Sequence, residues 1–392
     1  MPIQQITTGI IADNTVIAAD VLDGTLTGAK LAANTLANSV FQTGSVENYS
    51  RATGLLSGMR NRIINGAMSF DQRNAGASVT PTVDPTYTLD RWQAWLSAAS
   101  KYSVQQNAGA VTPPAGFTNY LGVTSLAATS LGAGDYYVLA QNIEGFNVAD
   151  LNWGAANAKT VTLSFWVRSS LTGTFGGSLR NSAGNRSYPY TYTISAANTW
   201  EYKTITVAGD TTGTWATNNT TGLIVWISLG VGSNFSGTAG AWNANNNTSA
   251  TGATSVVGTN GATFYITGVQ LEVGSTATSF DYRPYGTELQ LCQRYFIRYS
   301  GGPSLRGVIN ASYPTRMGMV LPVPMRVAPT ATLVGTMSVF DGVDAKDVSS
   351  IQTDYSTNQV IEYNLLTGTT YATNGRACIQ YQNGAFTLSA EL

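Results

Sequence analysis

The sequence predicts an all-β fold, on three observations. Charged residues fill only 10% of the 392 positions, well below the usual quarter, and neutral Gly, Thr, Ser and Asn take their place. That mixture suits short strands and tight turns: Thr and the aromatics favour a pleated surface, while Gly and Asn accept positive φ. Segments such as Thr160 to Arg168 alternate, with Val161, Leu163, Phe165 and Val167 on one face. At this length two or three folding units are expected: a repeat stem over 1–58, a jelly-roll β-sandwich over 59–286 and a smaller β domain over 287–392.

The totals also exclude chemistry. A net charge of −1 offers nothing to nucleic acid or an anionic membrane, and no apolar run approaches the roughly eighteen residues of a membrane span. Histidine is absent, which removes histidine-based triads, general bases and metal ligands. Cys292 and Cys378 are too few for a disulfide scaffold or a four-thiolate zinc site. They read as buried thiols, with a bridge as the alternative. No metal or cofactor is expected. Met1-Pro2-Ile3-Gln4-Gln5 lacks the basic start and apolar core of a signal peptide, so folding in a reducing cytoplasm is expected.

Residues 6–41 carry an apolar side chain at every fifth position: Ile6, Ile11, Val16, Val21, Leu26, Leu31, Leu36 and Phe41. Neither a helix nor a simple strand gives that spacing; short strands joined by Asp-Asn, Asp-Gly and Ala-Asn corners do. Stacked on itself, so short a segment is marginal as a solenoid. Wrapping three copies about one axis buries the whole row, so an intertwined homotrimeric stem is predicted, a flexible tail being the alternative. Residues 42–58 lose the pattern and read as a linker or short helix.

From Met59 the chain turns aromatic-rich, with strands predicted over 62–70, 92–96, 136–142, 160–169, 190–195, 202–207, 222–229 and 262–272. The runs Asn61-Arg62-Ile63-Ile64-Asn65-Gly66-Ala67-Met68, Tyr87-Thr88-Leu89-Asp90-Arg91-Trp92, Thr162 to Arg168, Phe264 to Glu272 and Leu291-Cys292-Gln293-Arg294-Tyr295-Phe296 occur in that order. Together they resemble a module common in bacteriophage tail-fibre and minor structural proteins, over roughly residues 60–300. More distantly the module looks like carbohydrate-binding jelly rolls, which open on an Asn-Gly-Gly-Phe-Glu-like strand and close on Val-x-Leu-Glu. The resemblance implies a virion protein assembled in the host cytoplasm and joined to tail or baseplate proteins through its N-terminus. Ser69 and Gly268 stand where the carbohydrate-binding relatives often carry the acidic residues of a structural calcium site, which argues against calcium here.

Sugar recognition needs flat aromatic faces beside Asn, Asp or Arg. Three loop clusters supply these types: Phe235, Trp242, Asn243, Asn245, Asn246 and Asn247; Trp215 with Asn218 and Asn219; and Tyr188, Tyr190 and Tyr192 with Arg186. Packing beneath long loops is the plainer reading of each. Trp166 and Trp226 sit inside strand patterns and read as structural, while Trp92 and Trp95 are ambiguous.

The last unit opens on a helical stripe, Leu289, Cys292 and Phe296, and returns to strands over 317–323, 330–333, 360–365 and 378–382. Leu321-Pro322-Val323-Pro324-Met325-Arg326-Val327-Ala328-Pro329 resembles a stretch that follows Cys-Gln-Arg-Tyr in similar phage proteins. Asp341, Asp344 and Asp347 read as a solvated turn, with a calcium loop as the alternative. Three functions are in view: an appendage adhering to host-surface polysaccharide; a head-fibre, decoration or baseplate component without a ligand; and a glycan-cleaving enzyme. The enzyme needs paired carboxylates, and nothing groups Asp135, Glu144, Asp150, Glu201 and Asp210. A non-enzymatic protein is expected.

Overall fold

A computed structural model describes residues 59–300, 306–310, 313–367, 375–382 and 385–392. The pentad row from Ile6 to Phe41, and with it the trimeric stem, lies outside the described residues. Met59–Leu392 is one compact unit, and it is all-β.

Along the chain come β1 (Thr86–Leu89), β2 (Trp92–Leu96), β3 (Tyr102–Gln106), β4 (Leu121–Ser125), β5 (Tyr136–Glu144), β6 (Val161–Ser169) and β7 (Gly173–Arg180). They are followed by β8 (Ser187–Ile194), β9 (Glu201–Val207), β10 (Thr221–Val231), the two-residue β11 (Ser236–Gly237) and β12 (Ser249–Ala250), and β13 (Thr263–Val273). A six-stranded sheet, β1-β2-β5-β10-β7-β8, faces a five-stranded sheet, β3-β4-β13-β6-β9, and every pairing in both is antiparallel. The predicted face of β6, Val161, Leu163, Phe165 and Val167, lies wholly in the core between them. On β13 the core positions switch from Phe264 and Ile266 to Val269 and Leu271, because a bulge falls between Thr267 and Gln270. Gly268 takes the extra position at φ +62°, where an added Cβ would sit 2.6 Å from the Phe117 ring. The residue standing in place of a calcium-site Asp therefore serves the bulge and the Phe117 contact.

Residues 62–70 correct the sequence expectation of a first strand: they run irregularly, with Asn65 and Met68 at positive φ. Side chains replace the ladder. Asn61 Oδ1 accepts from the Ile63 and Leu271 amides, and its Nδ2 donates to the Val269 carbonyl at 3.0 Å. Asn65 Nδ2 donates to the Phe70 and Asp90 carbonyls, and the Trp92 indole donates to the Asn65 carbonyl at 3.1 Å. A Cβ on Gly66 would lie 2.2 Å from the Val269 carbonyl oxygen, so only glycine fits.

Beyond the sandwich come α1 (Tyr285–Gln293), β14 (Phe296–Ser300), β15 (Arg306–Asn310), β16 (Tyr313–Val320), β17 (Thr330–Val334), β18 (Met337–Phe340), β19 (Ala345–Ser356), β20 (Val360–Thr367), β21 (Ala377–Gln382) and β22 (Ala385–Ser389). Strands β15-β16-β20-β19-β18-β21 close a barrel, flanked by the three-stranded sheet β14-β22-β17. Cys292 and Cys378 are both buried and unbridged, in different clusters. Asp341 Oδ1 accepts from the Val343 and Asp344 amides and its Oδ2 pairs with Arg376, so this loop is a turn closed by a buried Asp341 carboxylate and not a fully solvated one.

Three of the stretches that carry the phage resemblance, residues 87–92, 291–296 and 321–329, supply the arginines that join sandwich and barrel. Arg294 grips Glu144 at 2.8 and 2.5 Å, and the Tyr295 hydroxyl donates to Glu144 at 2.6 Å. Arg91 is buried against the Tyr295 ring and pairs with Glu391, which also pairs with Arg73. Arg326 donates to the Asn219, Ala390 and Glu391 carbonyls. These residues are architecture.

Candidate functional site

The outer face of the six-stranded sheet is unusually apolar. Alternation sends Leu223, Val225, Ile227 and Leu229 of β10 into the inter-sheet core, which turns Ile224 and Trp226 the other way. Trp226 lies opposite Ala140 of β5, and Trp95 of β2 lies opposite Val138. These side chains form a second small cluster on the face a sandwich normally gives to solvent.

A cleft of about 290 Å³ opens over that cluster, lined by Trp95, Tyr136, Arg180, Trp226, Phe235, Asn246 and Thr248. The Trp95 ring meets Trp226 edge-on at 5.2 Å, and Tyr136 meets Phe235 likewise at 5.2 Å. The segment after β10 forms the outer wall. Thr248 donates its amide to the Phe235 carbonyl at 2.8 Å, and Ser178 of β7 donates to the Asn247 carbonyl at 2.7 Å, which fastens the wall to the sheet.

The floor holds unsatisfied donors. Arg180, only 9% exposed, lies over the Trp226 ring at 4.6 Å, and its Nη1 donates to Asn246 Oδ1. Its buried Nε and the buried Trp226 Nε1 have no partner among the described residues. Burial with no carboxylate beside it pushes the Arg180 pKa down to about 10. The other buried arginine among the described residues, Arg91, faces Glu391, and the half-buried Arg186 and Arg283 face Asp210 and Glu288.

The residues singled out from sequence distribute unequally. Trp242, Trp215 and Tyr188 come together with Trp153, in ring contacts of 4.7–5.4 Å, so their separate sequence clusters are one. Trp153, Trp215 and Trp242 each donate their indole N–H to a carbonyl, of Lys159, Thr212 and Ala208. Arg186 holds Asp210 through two bonds of 2.7 and 2.6 Å. Asn243 and Asn245 tie their loop to Ser187. A cavity of about 360 Å³ beside Trp153 and Trp215 is lined mainly by small and apolar groups. Tyr190 and Tyr192 are buried in the main core. Of these loop residues, Phe235 and its cluster neighbour Asn246 reach the cleft.

Sequence reasoning passed over Arg180 and Tyr136, and read Trp226 as structural. Strand β10 is apolar at every position from Leu223 to Ile227, so no period reveals that Trp226 faces outward. A signal did exist: apolar residues on both faces of one strand imply that something covers the second face.

The five acids weighed for glycan cleavage all have partners. Asp135 accepts from Ser97 and the Gly132 amide, Asp150 pairs with Arg62, and Glu201 pairs with Lys203. Glu144 and Asp210 are held as described. Burial alone would raise the Glu144 pKa, but the bonds from Arg294 and Tyr295 outweigh it and hold the carboxyl below its ordinary value.

No family model matches the chain, and no curated protein matches it. Among solved structures, it is similar to the enzymatically active domain of tailspike protein 4 of bacteriophage CBA120, at 12% identity and TM-score 0.30, over 55% of this chain and 21% of that one. It is similar to a family 61 carbohydrate-binding module in complex with β-1,4-galactotriose, at 11% identity and TM-score 0.28, over 55% of this chain and 100% of that one. A family 11 carbohydrate-binding module of Clostridium thermocellum, in complex with a mixed-linked tetrasaccharide, gives 11% identity and TM-score 0.24, over 52% and 98%. At such values the likeness assigns nothing to particular residues.

Proposed function

We propose that this chain is a non-catalytic bacteriophage appendage of the tail-fibre kind whose sandwich binds a glycan in the cleft between Trp95, Tyr136, Trp226 and Phe235. One observation carries the binding reading: a cleft walled by four aromatic rings, with two buried donors, Arg180 Nε and Trp226 Nε1, left without partners among the described residues. Aromatic walls suit the apolar face of a pyranose ring, and unpaired donors suit its oxygens. The virion setting rests on the ordered sequence motifs, and attachment and trimerisation on the pentad row of residues 6–41.

The test is a screen of neutral and acidic polysaccharides against the full chain and Trp95→Ala, with light scattering for mass. Binding that is lost in the variant, by a particle of three chains, supports the proposal. A correctly folded protein that binds no glycan would leave an attached structural component, and release of reducing ends would favour an enzyme.

A further inference from the structure

We infer that the bound glycan carries a carboxylate, seated on the Arg180 guanidinium. The inference rests on the glycan reading of the cleft and narrows it to acidic sugars. Burying a guanidinium without a counter-charge is costly, and folded chains ordinarily answer it with a carboxylate or a set of carbonyls. This chain does so at Arg91, and even the half-buried Arg326 meets three carbonyls. At Arg180 it supplies one side-chain amide oxygen, from Asn246.

The unpaired groups in the cleft are of one kind. Arg180 Nε and Trp226 Nε1 are both donors. Hydroxyls of a neutral sugar donate as well as accept, whereas a carboxylate only accepts and meets the planar guanidinium with two oxygens. Tyr136 and its acid are already engaged: the hydroxyl donates to Asp84 at 2.6 Å, and Asp84 also accepts from the Leu96 amide. The cation–π contact of Arg180 with Trp226 offsets part of the guanidinium's charge but supplies no anion.

The experiment titrates the full chain by calorimetry with polygalacturonate, alginate and polysialate, and with the carboxyl-reduced form of each, which keeps the linkage and replaces the carboxylate by a hydroxymethyl group. Neutral polymers and dextran sulfate complete the set. The expected result is binding of at least one carboxylated polymer that falls roughly tenfold to a hundredfold on reduction and in Arg180→Met. Arg180→Lys, which keeps charge but loses the fork, should fall between. The melting temperature of Arg180→Met should hold or rise, since a buried charge has gone.

Equal binding of reduced and native polymers, or undiminished binding by a folded Arg180→Met, overturns the carboxylate. So does binding of sulfated polymer alone. If neutral polymers bind and Trp95→Ala abolishes it, the glycan reading survives without the carboxylate. If nothing binds, both fall.

Discussion

Glu391→Gln removes the carboxylate that answers two arginines at the junction of sandwich and barrel. Arg91 cannot escape to water: its side chain is 1% exposed, its Nη2 donates to the Asn142 carbonyl at 2.5 Å, and its guanidinium lies 3.7 Å from the centre of the Tyr295 ring. Burial works against its charge, and Glu391 more than restores it. Breaking such a buried pair from one side costs about 3–5 kcal/mol, a large share of the roughly 5–15 kcal/mol that holds an ordinary domain folded. With an unfolding entropy of about 2.1 cal/mol/K per residue, and residues 59–392 melting as one unit, the melting temperature falls by about 4–7 °C. Differential scanning calorimetry measures it. The double variant Arg91→Met/Glu391→Leu replaces the pair with apolar groups and should recover most of the loss. A single variant that melts within a degree of the parent refutes the reasoning.

Three further outcomes are expected. Gly66→Ala drives a Cβ into the Val269 carbonyl, costing roughly 3 kcal/mol in urea unfolding. Burial raises the Asp90 carboxyl to about 6 against the lowering effects of Arg73 and Gln72. The folded chain therefore holds a proton that the unfolded chain has lost between about pH 4 and 6. Relative to Asp90→Asn, the parent should gain up to about 3 kcal/mol as pH falls from 7 to 4, and a difference that stays flat with pH sinks the assignment. Trp242→Ala empties part of the Trp153 and Trp215 cluster, costing about 2 kcal/mol while leaving any glycan affinity unchanged.

Strands with strict alternation were legible in the sequence. Strand β2 spans the predicted 92–96, and β6 and β9 differ from prediction by one residue at one end. Strand β7 was not legible, because Gly173, Gly176 and Gly177 interrupt any hydrophobic period; an added Cβ at Gly177 would lie 2.2 Å from the Trp226 carbonyl oxygen. The long β19 was missed because eight of its twelve residues are exposed, so burial imposes no pattern. The site was legible in kind and, through Phe235 and Asn246, only in part in place. Aromatics beside Asn and Arg were the right types, but composition cannot tell an indole whose N–H already meets a carbonyl, as in Trp242, from one left unpaired, as in Trp226. Arg180 was invisible for the same reason: what marks it is the missing carboxylate, a property of three-dimensional neighbours.

The cleft's chemistry can be turned against itself by one substitution. Asn246 Oδ1 already accepts from Arg180 Nη1, so Asn246→Asp places a carboxylate on the guanidinium with no change of shape. Asn246 is exposed, which limits the gain to about 1 kcal/mol and one or two degrees of melting temperature. The effect on an acidic ligand should be larger. The ligand's carboxylate would have to displace an internal one and tolerate its charge, so affinity should drop by about tenfold or more while neutral polymers bind as before. A stabilised variant that no longer holds acidic polymers is expected from a guanidinium that waits for a ligand. If Asn246→Asp instead binds acidic polymers as tightly as the parent, the anion sits elsewhere, and Arg180 is a pin for the loop and nothing more.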